Sequence, residues 1–315
     1  MNFQIKLAIV AIIIVIPLSS IAIYGTDSSR QFTKTDDSKL QVISSFYPLH
    51  EFSQKIGGDK VDVTLIVPVG IEPHDWEPTV KDIQKIQQSD LIVINGVGFE
   101  NWVDRLYETN YPGIIVDTSN GILIENHDNE NHDNENHDNE NHDNDHGSTD
   151  PHIWLNPVYA KKQVQNIADA FSNSDPENRK FYQSNAVEYV EQLDLLDSKI
   201  RDELSTCNRD FVAFHDAFSY FADEYDLTQH TIISSNDPHG EATAKTLEDV
   251  ISLARELNIT VIFSEENVDP RTSETIAKEI GGKVLVLSPL EVASDETYIF
   301  KMTENLANLK ETLCR

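Results

Sequence analysis

The sequence predicts an α/β protein of two similar lobes with mainly parallel sheets, joined by one long rigid helix. Short apolar runs alternate with amphipathic stretches from Leu40 to about residue 119, and the alternation starts again near residue 210. Between the two series lies a helical pattern of about 30 residues, which would span ~45 Å. Alternating strands and helices are typical of mainly parallel sheets, and a helix of that length can connect two lobes.

The first lobe is predicted over residues 40–175. Gly57 and Gly58 end its first helix, and Thr79 caps its second. A further helix is predicted over about residues 158–172. The predicted strands are 40–46, 61–68, 90–96 and 113–119, and the helices between them are 49–58, 79–89 and 99–109.

The linking helix is predicted over residues 176–206, because Pro176 suits a first helical turn and apolar residues recur after it at a helical period. The second lobe follows over residues 207–315. Ligands of parallel α/β sheets bind beyond the carboxyl ends of the strands, so the expected site is a cleft between the lobes. The predicted strands of this lobe are 210–215, 230–235, 259–265 and 283–289, and its helices are 217–225, 243–258, 270–282 and from about 295 to the end.

Residues 1–24 are predicted to form a signal peptide or a single signal-anchor helix. Lys6 precedes an uncharged apolar run at residues 7–24, which is near the lower length limit for spanning a bilayer. Residues 25–39 are polar and are predicted to form a tether. We therefore expect the rest of the chain outside the cytoplasmic membrane, either secreted or anchored by this segment.

The charge balance is strongly acidic, with a formal net charge of −30. A field of that sign repels nucleic acid and anionic lipid and attracts cations. We therefore expect no nucleic-acid partner. The charge can serve either solubility or the gathering of cations, and composition does not separate these two roles.

Residues 125–147 repeat the unit NHDNE and contain no apolar side chain. Such a stretch cannot bury surface to offset the entropy of ordering, so it is predicted to be a disordered loop. Its carboxylates alone are typical of a solvated acidic spacer, but histidine-rich tracts are typical of metal binding. We expect weak, exchangeable metal sites at five histidines: His127, His132, His137, His142 and His146.

Three histidines outside that loop share a setting. His74, His152 and His215 each lie at the end of a predicted strand or in a loop beyond one. Each has a carboxylate one or two positions away that can accept a hydrogen bond from the ring nitrogen facing away from a metal. One such histidine alone is better explained as structural, but three favour a metal site, and three neutral imidazoles suit Zn²⁺ better than Mn²⁺. The neighbouring carboxylates are Asp75, Asp150 and Asp216.

The two cysteines, Cys207 and Cys314, both fall in the second predicted lobe. A disulfide is permitted outside the cell, and it would tie the last helix to the body of that lobe. The alternative is two free thiols, because the sequence does not show whether the Cα atoms approach within ~7 Å.

From about Leu40 to its C-terminus, the chain resembles the solute-binding proteins of zinc and manganese ABC transporters, the ZnuA/TroA-like family. The acidic, histidine-rich loop before the second histidine motif resembles that of the zinc-specific branch. The resemblance implies two α/β lobes joined by a rigid helix. The motifs that carry it are GIEPHDWEPT, DPHIWLNP, FVAFHDAFSYFADEYDL, SSNDPHGEATAKTLEDVI and VIFSEENVDPR.

The resemblance places the metal histidines on His74, His152 and His215. The family's fourth ligand is often an aspartate in the turn after the last strand, where this chain has Ser288, a poor zinc ligand. Water or Glu72 is our preferred replacement, with Glu291 as a further candidate. Glu265 is implied only as an outer hydrogen-bond acceptor. The remaining histidines do not match ligand positions and are expected to be structural or exposed: His50, His230 and His239.

The implied function is capture of Zn²⁺ between the lobes by a monomeric, non-enzymatic receptor, which delivers the ion to an ABC permease driven by its ATPase. The histidine-rich loop would gather zinc for His152 or sense a zinc surplus. Two alternatives stay open. One is an extracellular zinc buffer or adhesin of the same fold. The other is a zinc hydrolase, which is disfavoured because no HExxH helix and no paired acid and base accompany the histidines.

Overall fold

The computed structural model describes residues 39–124, 149–235, 237–240 and 242–314. The predicted signal segment at residues 1–24, nearly all of the tether and the histidine-rich loop at residues 125–147 lie outside the described residues. Within the described ranges, no helix has the length and apolar character needed to cross a bilayer.

The first lobe is built on a four-stranded parallel sheet with the order β2-β1-β3-β4. Strand β3 is buried on both faces, as expected for a parallel sheet covered by helices. Thr79 caps the second helix through a reciprocal pair of hydrogen bonds with Asp82, which confirms the predicted helix start. The strands are β1 Leu40–Ser44, β2 Val61–Leu65, β3 Leu91–Ile94 and β4 Ile114–Asp117, and the helices are α1 Tyr47–Gly57, α2 Val80–Ile86 and α3 Asp104–Glu108.

A pair of long helices follows the first sheet. Helix α4 spans Pro157–Ser174, and Asn156 caps it by accepting a hydrogen bond from the backbone N–H of Val158. A short 3₁₀ turn at Pro176–Asn178 then leads into α5, Arg179–Leu204, the longest described helix at 26 residues. Helix α5 therefore runs through most of the range predicted for the linking helix.

The second lobe repeats the first, with a four-stranded parallel sheet in the order β6-β5-β7-β8. The matching strand orders and wholly parallel pairing agree with the predicted fold class. The strands are β5 Asp210–Ala213, β6 Thr228–Thr231, β7 Val261–Ser264 and β8 Lys283–Val286, and the helices are α6 Ser219–Glu224, α7 Ala244–Glu256, α8 Arg271–Ile280 and α9 Tyr298–Leu313.

Both lobes share one apolar core. It contains inward side chains of both sheets, such as Val42, Val93, Phe211 and Phe263, together with side chains of α1, α4, α5 and α9. Separate clusters cover the outer faces of the two sheets. Because moving one lobe relative to the other would expose this continuous core, the two sheets are held in a fixed relationship.

Several predicted elements are shorter in the structure than in the sequence analysis. The helix predicted over residues 99–109 is reduced to α3, because residues 99–103 form loop and turn instead. The strand predicted over residues 230–235 begins and ends earlier, as β6. Both differences involve the loops that follow strands β3 and β6.

Cys207 and Cys314 form a disulfide across 107 residues of chain, with 4.4 Å between their Cα atoms. The bridge links the segment after α5 to the end of α9. Cys207 precedes β5, so the disulfide lies at the amino ends of the second sheet's strands, opposite the ends from which the candidate site is built.

Candidate metal centre

Four loops at the carboxyl ends of strands bring three histidines and one glutamate together. His74 lies in the loop after β2, and His215 follows β5 by two residues. His152 immediately precedes a 3₁₀ turn at Ile153–Leu155, which leads into α4. Glu291 lies in the turn after β8. The first and second lobes therefore both contribute side chains.

The four side chains converge through one ligating atom each, and these atoms all lie within 4.8 Å of one another. Glu291 Oε1 is 3.1 Å from Nε2 of His74, 3.1 Å from Nε2 of His152 and 3.7 Å from Nε2 of His215. The Nε2 atoms of His152 and His215 are 3.3 Å apart. Zinc at about 2.0–2.1 Å from each nitrogen places tetrahedral donors roughly 3.3 Å apart, so the donor spacing fits this ion.

Burial shields three of the four groups from solvent. His152 and His215 have no exposed surface, and Glu291 has only 3%. The side chain of His74 keeps 11% of its surface exposed. Of the four groups, His74 in the loop after β2 is therefore the most accessible to solvent.

Two buried histidines are oriented by carboxylates on their other ring nitrogen. Asp150 Oδ1 lies 2.7 Å from Nδ1 of His152, and Glu265 Oε1 lies 2.7 Å from Nδ1 of His215. Each carboxylate also accepts the backbone N–H of its histidine. An Nδ1–H bound to a carboxylate leaves Nε2 with its lone pair free for a metal.

The expected role of Asp216 beside His215 is wrong. Asp216 accepts hydrogen bonds from Ser219 and Gln229 and leaves the His215 ring to Glu265. Asp75 is exposed to solvent. The chain bends at residues 214–216 after β5, and the hydrogen bonds from Ser219 and Gln229 hold the Asp216 carboxylate.

Among the fourth-ligand candidates, Glu291 and not Glu72 lies between the imidazoles. Glu72 stays at the edge of the site, where its carboxyl group accepts the backbone N–H of His74 at 3.4 Å. Ser288 is turned away, and its hydroxyl donates to Glu266 at 2.6 Å. The sequence favours water or Glu72 over Glu291 as the fourth ligand. The geometry instead favours Glu291.

The turn after β8 explains why a residue three positions beyond Ser288 reaches the site. The backbone of Ser288 is fixed by Asn305 on α9, through two hydrogen bonds of 2.8 and 2.7 Å. Leu290 then adopts left-handed backbone with φ 58°, which is uncommon outside glycine. That reversal, together with the longer arm of a glutamate, brings Glu291 to the imidazoles.

The electrostatics of the metal-free site favour ion pairing. Burial lowers the pKa of His152, but Asp150 and Glu291 together outweigh burial and raise it above its ordinary value. Burial likewise lowers the pKa of His215, but Glu265 and Glu291 hold it well above its ordinary value. Burial raises the pKa of Glu291, and hydrogen bonds from the three imidazoles outweigh burial and hold it well below its ordinary range.

Two other carboxyl groups near the site, those of Glu72 and Glu265, have pKa values that shift in the direction opposite to that of Glu291. Burial and the nearby charge of Glu291 raise the pKa of Glu72 to about 8. Burial also raises the pKa of Glu265, although the charge and hydrogen bond of His215 oppose that shift. A site this rich in carboxyl groups gains from a cation that neutralises them.

The remaining described histidines lie outside the cluster. His50 pairs through Nδ1 with the hydroxyl of Ser44 at 3.0 Å, and His230 pairs through Nε2 with Asp210 at 2.9 Å. His239 is exposed. These positions agree with the expectation that the three histidines are structural or exposed. The five histidines of the loop at residues 125–147 lie outside the described residues.

The protein has two parallel α/β lobes that share a core. Three imidazoles and a carboxylate lie at the interface of the lobes. This arrangement defines a two-lobed metal-binding receptor. A family model described as "Zinc-uptake complex component A periplasmic" (ZnuA) matches residues 42–312. The chain belongs to this ZnuA family.

Two relatives match this chain over most of its length. The High-affinity zinc uptake system protein ZnuA of Bacillus subtilis is 40% identical over 93% of this chain and 93% of its own length. The laminin-binding protein Lmb of Streptococcus agalactiae, described as a bifunctional protein with adhesin and metal-transporting activity, has a TM-score of 0.78 at 28% identity. That comparison covers 87% of this chain and 99% of Lmb.

A third relative is longer than this chain. The Zinc-binding lipoprotein AdcA of Streptococcus pneumoniae is 35% identical over 89% of this chain but only 57% of its own length, so the chain spans just over half of it. The crystal structure of the Zn(II)-bound ZnuA-like domain of that protein has a TM-score of 0.74 at 32% identity. It covers 88% of this chain and all of the domain.

Proposed function

We propose that this chain is the extracytoplasmic receptor of an ABC importer, which captures Zn²⁺ between its lobes and delivers it to a membrane permease. The observation that carries the proposal is the convergence of three imidazoles and Glu291 at one buried point. The ligands would be His74, His152, His215 and Glu291, with zinc as cargo and not as a catalytic cofactor.

The donor set favours zinc over manganese. Three nitrogen donors and one carboxylate in a closed four-group cluster match the tetrahedral preference of Zn²⁺, whereas Mn²⁺ prefers more oxygen donors in an octahedral arrangement. The zinc-bound ZnuA-like domain of AdcA supports the same choice. The carboxylates Asp150 and Glu265 would keep the two buried imidazoles in the metal-binding tautomer.

Capture and release both follow from the unequal burial of the ligands. His152, His215 and Glu291 are enclosed and belong to turns packed on the shared core, whereas His74 lies in a partly open loop. Metal would enter and leave through displacement of the His74 loop, with little change in the lobes. The closed set of four protein donors supports binding more than hydrolysis, because a catalytic zinc keeps an open position for water.

The partners follow from this role. A receptor outside the cytoplasmic membrane needs a permease to accept the ion and an ATPase to drive transport. The names of the relatives, which include a zinc uptake protein and a zinc-binding lipoprotein, support an extracytoplasmic location and that assembly. Attachment to the membrane through residues 1–24 belongs to the same proposal.

The likeness to Lmb favours a second candidate function, adhesion at the cell surface. The two functions are compatible, since an adhesive surface would lie outside the cleft. They are separated by a variant without the metal site: loss of zinc uptake with intact laminin binding would assign the cleft to transport alone.

The proposal is tested by competitive titration of residues 39–315 with Zn²⁺ and Mn²⁺. That range contains the compact unit with its own core. His215→Ala removes a cluster imidazole. His230→Ala is the matched control, because it removes a histidine that pairs with Asp210 outside the cluster.

We expect one tight zinc site that is lost in His215→Ala and retained in His230→Ala, with weaker manganese binding to the wild type. Zinc uptake by cells lacking this chain should be restored by the wild type and by His230→Ala only. Tight zinc binding that survives His215→Ala would reject the cleft site.

A further inference from the structure

Trp154 lies two residues after His152 and joins the two lobes behind the metal centre. Its indole N–H donates a hydrogen bond of 2.7 Å to the backbone carbonyl of Pro289. Pro289 lies two residues before Glu291, in the turn after β8. One buried side chain thus connects the chain segments that carry two of the four clustered groups.

A second layer of hydrogen bonds fixes Trp154 itself. The hydroxyl of Tyr298, in the first turn of α9, donates to the backbone carbonyl of Trp154 at 2.7 Å. Trp154 and Tyr298 have no exposed surface. Hydrogen bonds between fully buried groups are strong, because bulk solvent does not compete for either partner.

The network ends on a buried carboxyl group of the first lobe. Glu51, on α1, accepts the backbone N–H of Tyr298 and the hydroxyls of Tyr47 and Tyr189. Tyr189 lies on α5, so this one group ties α1, the linking helix and the start of α9 together. These hydrogen bonds therefore connect the core that both lobes share to Pro289, two residues before Glu291.

We infer that Trp154 is a positioning residue, which sets the affinity for zinc by fixing the turn that presents Glu291 to the imidazoles. This inference rests on the proposed function. Leu290, between Pro289 and Glu291, has left-handed backbone, so the turn needs outside support to hold that conformation. The indole N–H supplies the support from the lobe that carries His152.

The test compares Trp154→Phe with Trp102→Phe in the full chain. Phenylalanine keeps an aromatic ring but removes the N–H. Trp102 is a second buried tryptophan, packed against Trp76 on the outer face of the first sheet, away from the cluster. Zinc affinity is measured by competition with a chelator, and coordination is measured by the visible absorption of bound Co²⁺, which depends on its geometry.

Trp154→Phe should weaken the tight site by about 10–100-fold, the usual effect of losing a residue that supports a metal ligand, and should change the Co²⁺ absorption. Trp102→Phe should change neither. In a Glu291→Gln background, Trp154→Phe should cost at most about twofold more, because the carboxylate that it positions is gone. Should Trp154→Phe not fold, Tyr298→Phe removes a single hydroxyl and is expected to weaken zinc binding in the same direction.

Equal losses from Trp154→Phe in the wild-type and Glu291→Gln backgrounds would overturn the inference, as would affinity and Co²⁺ absorption indistinguishable from those of Trp102→Phe. These results differ from failure of the proposed function. A tight site that survives His215→Ala would reject the metal centre itself. If the tight site were lost in His215→Ala but kept its zinc affinity in Trp154→Phe, only the positioning role of Trp154 would be rejected.

Discussion

The Oε1 atom of Glu291 lies 3.1 Å from the Nε2 atom of His152, across 139 residues of chain and across the two lobes. The same oxygen lies 3.1 Å from Nε2 of His74. A single carboxylate of the second lobe thus faces imidazoles of the first. In the metal-free protein it lies within hydrogen-bond distance of both rings, and in the proposed complex it would complete the donor set.

Replacing Glu291 with glutamine is expected to weaken zinc binding by more than the roughly 10–100-fold that a supporting residue contributes, because a ligand charge is lost at a buried site. Glu72→Gln should have a smaller effect, since Glu72 lies at the edge of the cluster. Competitive zinc titration of both variants measures which of the two carboxylates contributes more to zinc affinity. A larger loss in Glu72→Gln would transfer the fourth position to Glu72.

The carboxylates behind the imidazoles provide the second prediction. Asp150→Asn and Glu265→Gln remove the acceptors that lie 2.7 Å from Nδ1 of His152 and His215, and each should lower zinc affinity by about 10–100-fold. Asp216→Asn is the matched control, because Asp216 bonds to Ser219 and Gln229. Calorimetric titration that showed Asp216→Asn to be the most damaging of the three would contradict this assignment.

These comparisons also show what the sequence can and cannot predict. The alternation of apolar and amphipathic stretches predicts both sheets and the linking helix, because periodicity follows from burial on a face. The three histidines are predictable for a similar reason, since each follows a strand and carboxyl ends of parallel strands meet at one edge. Glu265, implied by the family resemblance, lies 2.7 Å from Nδ1 of His215.

Glu291 was harder to predict, because its position depends on contacts distant in the chain. The turn that carries it relies on Asn305 and Trp154, and on left-handed backbone at Leu290. None of these is a local property of the sequence. The sequence offers one indication of this ligand, a carboxylate three residues beyond Ser288. The prediction for Asp216 is wrong for a different reason: Asp216 is next to His215 in the chain, but its side chain does not contact the His215 ring.

The third prediction concerns pH. His152 and His215 have pKa values raised above the ordinary ~6.5 in the metal-free fold, by Asp150, Glu265 and Glu291. Over the range between ~6.5 and those raised values, the folded state binds more protons than the unfolded state. The stability that they contribute is therefore complete below ~pH 6.5 and is lost as pH rises through the folded pKa values.

Zinc affinity should follow the opposite trend, because the imidazoles must lose their protons to bind metal. Affinity is expected to keep rising with pH above ~6.5, and binding should release protons. Calorimetry in two buffers of different ionisation enthalpy measures that release, and urea unfolding of the metal-free protein measures stability over the same range. In Glu291→Gln, both pH dependences should become shallower. If the stability of the metal-free wild type increased with pH while that of Glu291→Gln did not, the result would contradict the assigned pKa directions.

The fourth prediction concerns the histidine-rich loop. Deleting residues 126–146 should leave the one tight zinc site and remove weaker sites, because the four clustered groups all lie outside that range. Titration of the deletion variant beside the wild type measures both classes of site. A matched variant with the five loop histidines changed to serine keeps the loop length and should lose the same weak sites. Loss of the tight site in the serine variant would place that site in the loop.

The last prediction concerns the disulfide between Cys207 and Cys314, which closes a segment of 107 residues. Removing it frees the unfolded chain, so a double serine variant should lose about 2–5 kcal/mol in the free energy of unfolding. Zinc affinity should stay unchanged, because the bridge lies at the amino ends of the second sheet's strands and the cluster lies at their carboxyl ends. Urea denaturation with and without reductant measures the first effect, and titration under reductant measures the second. An unchanged denaturation midpoint in the serine variant, or weaker zinc binding under reductant, would show that the bridge has a different role.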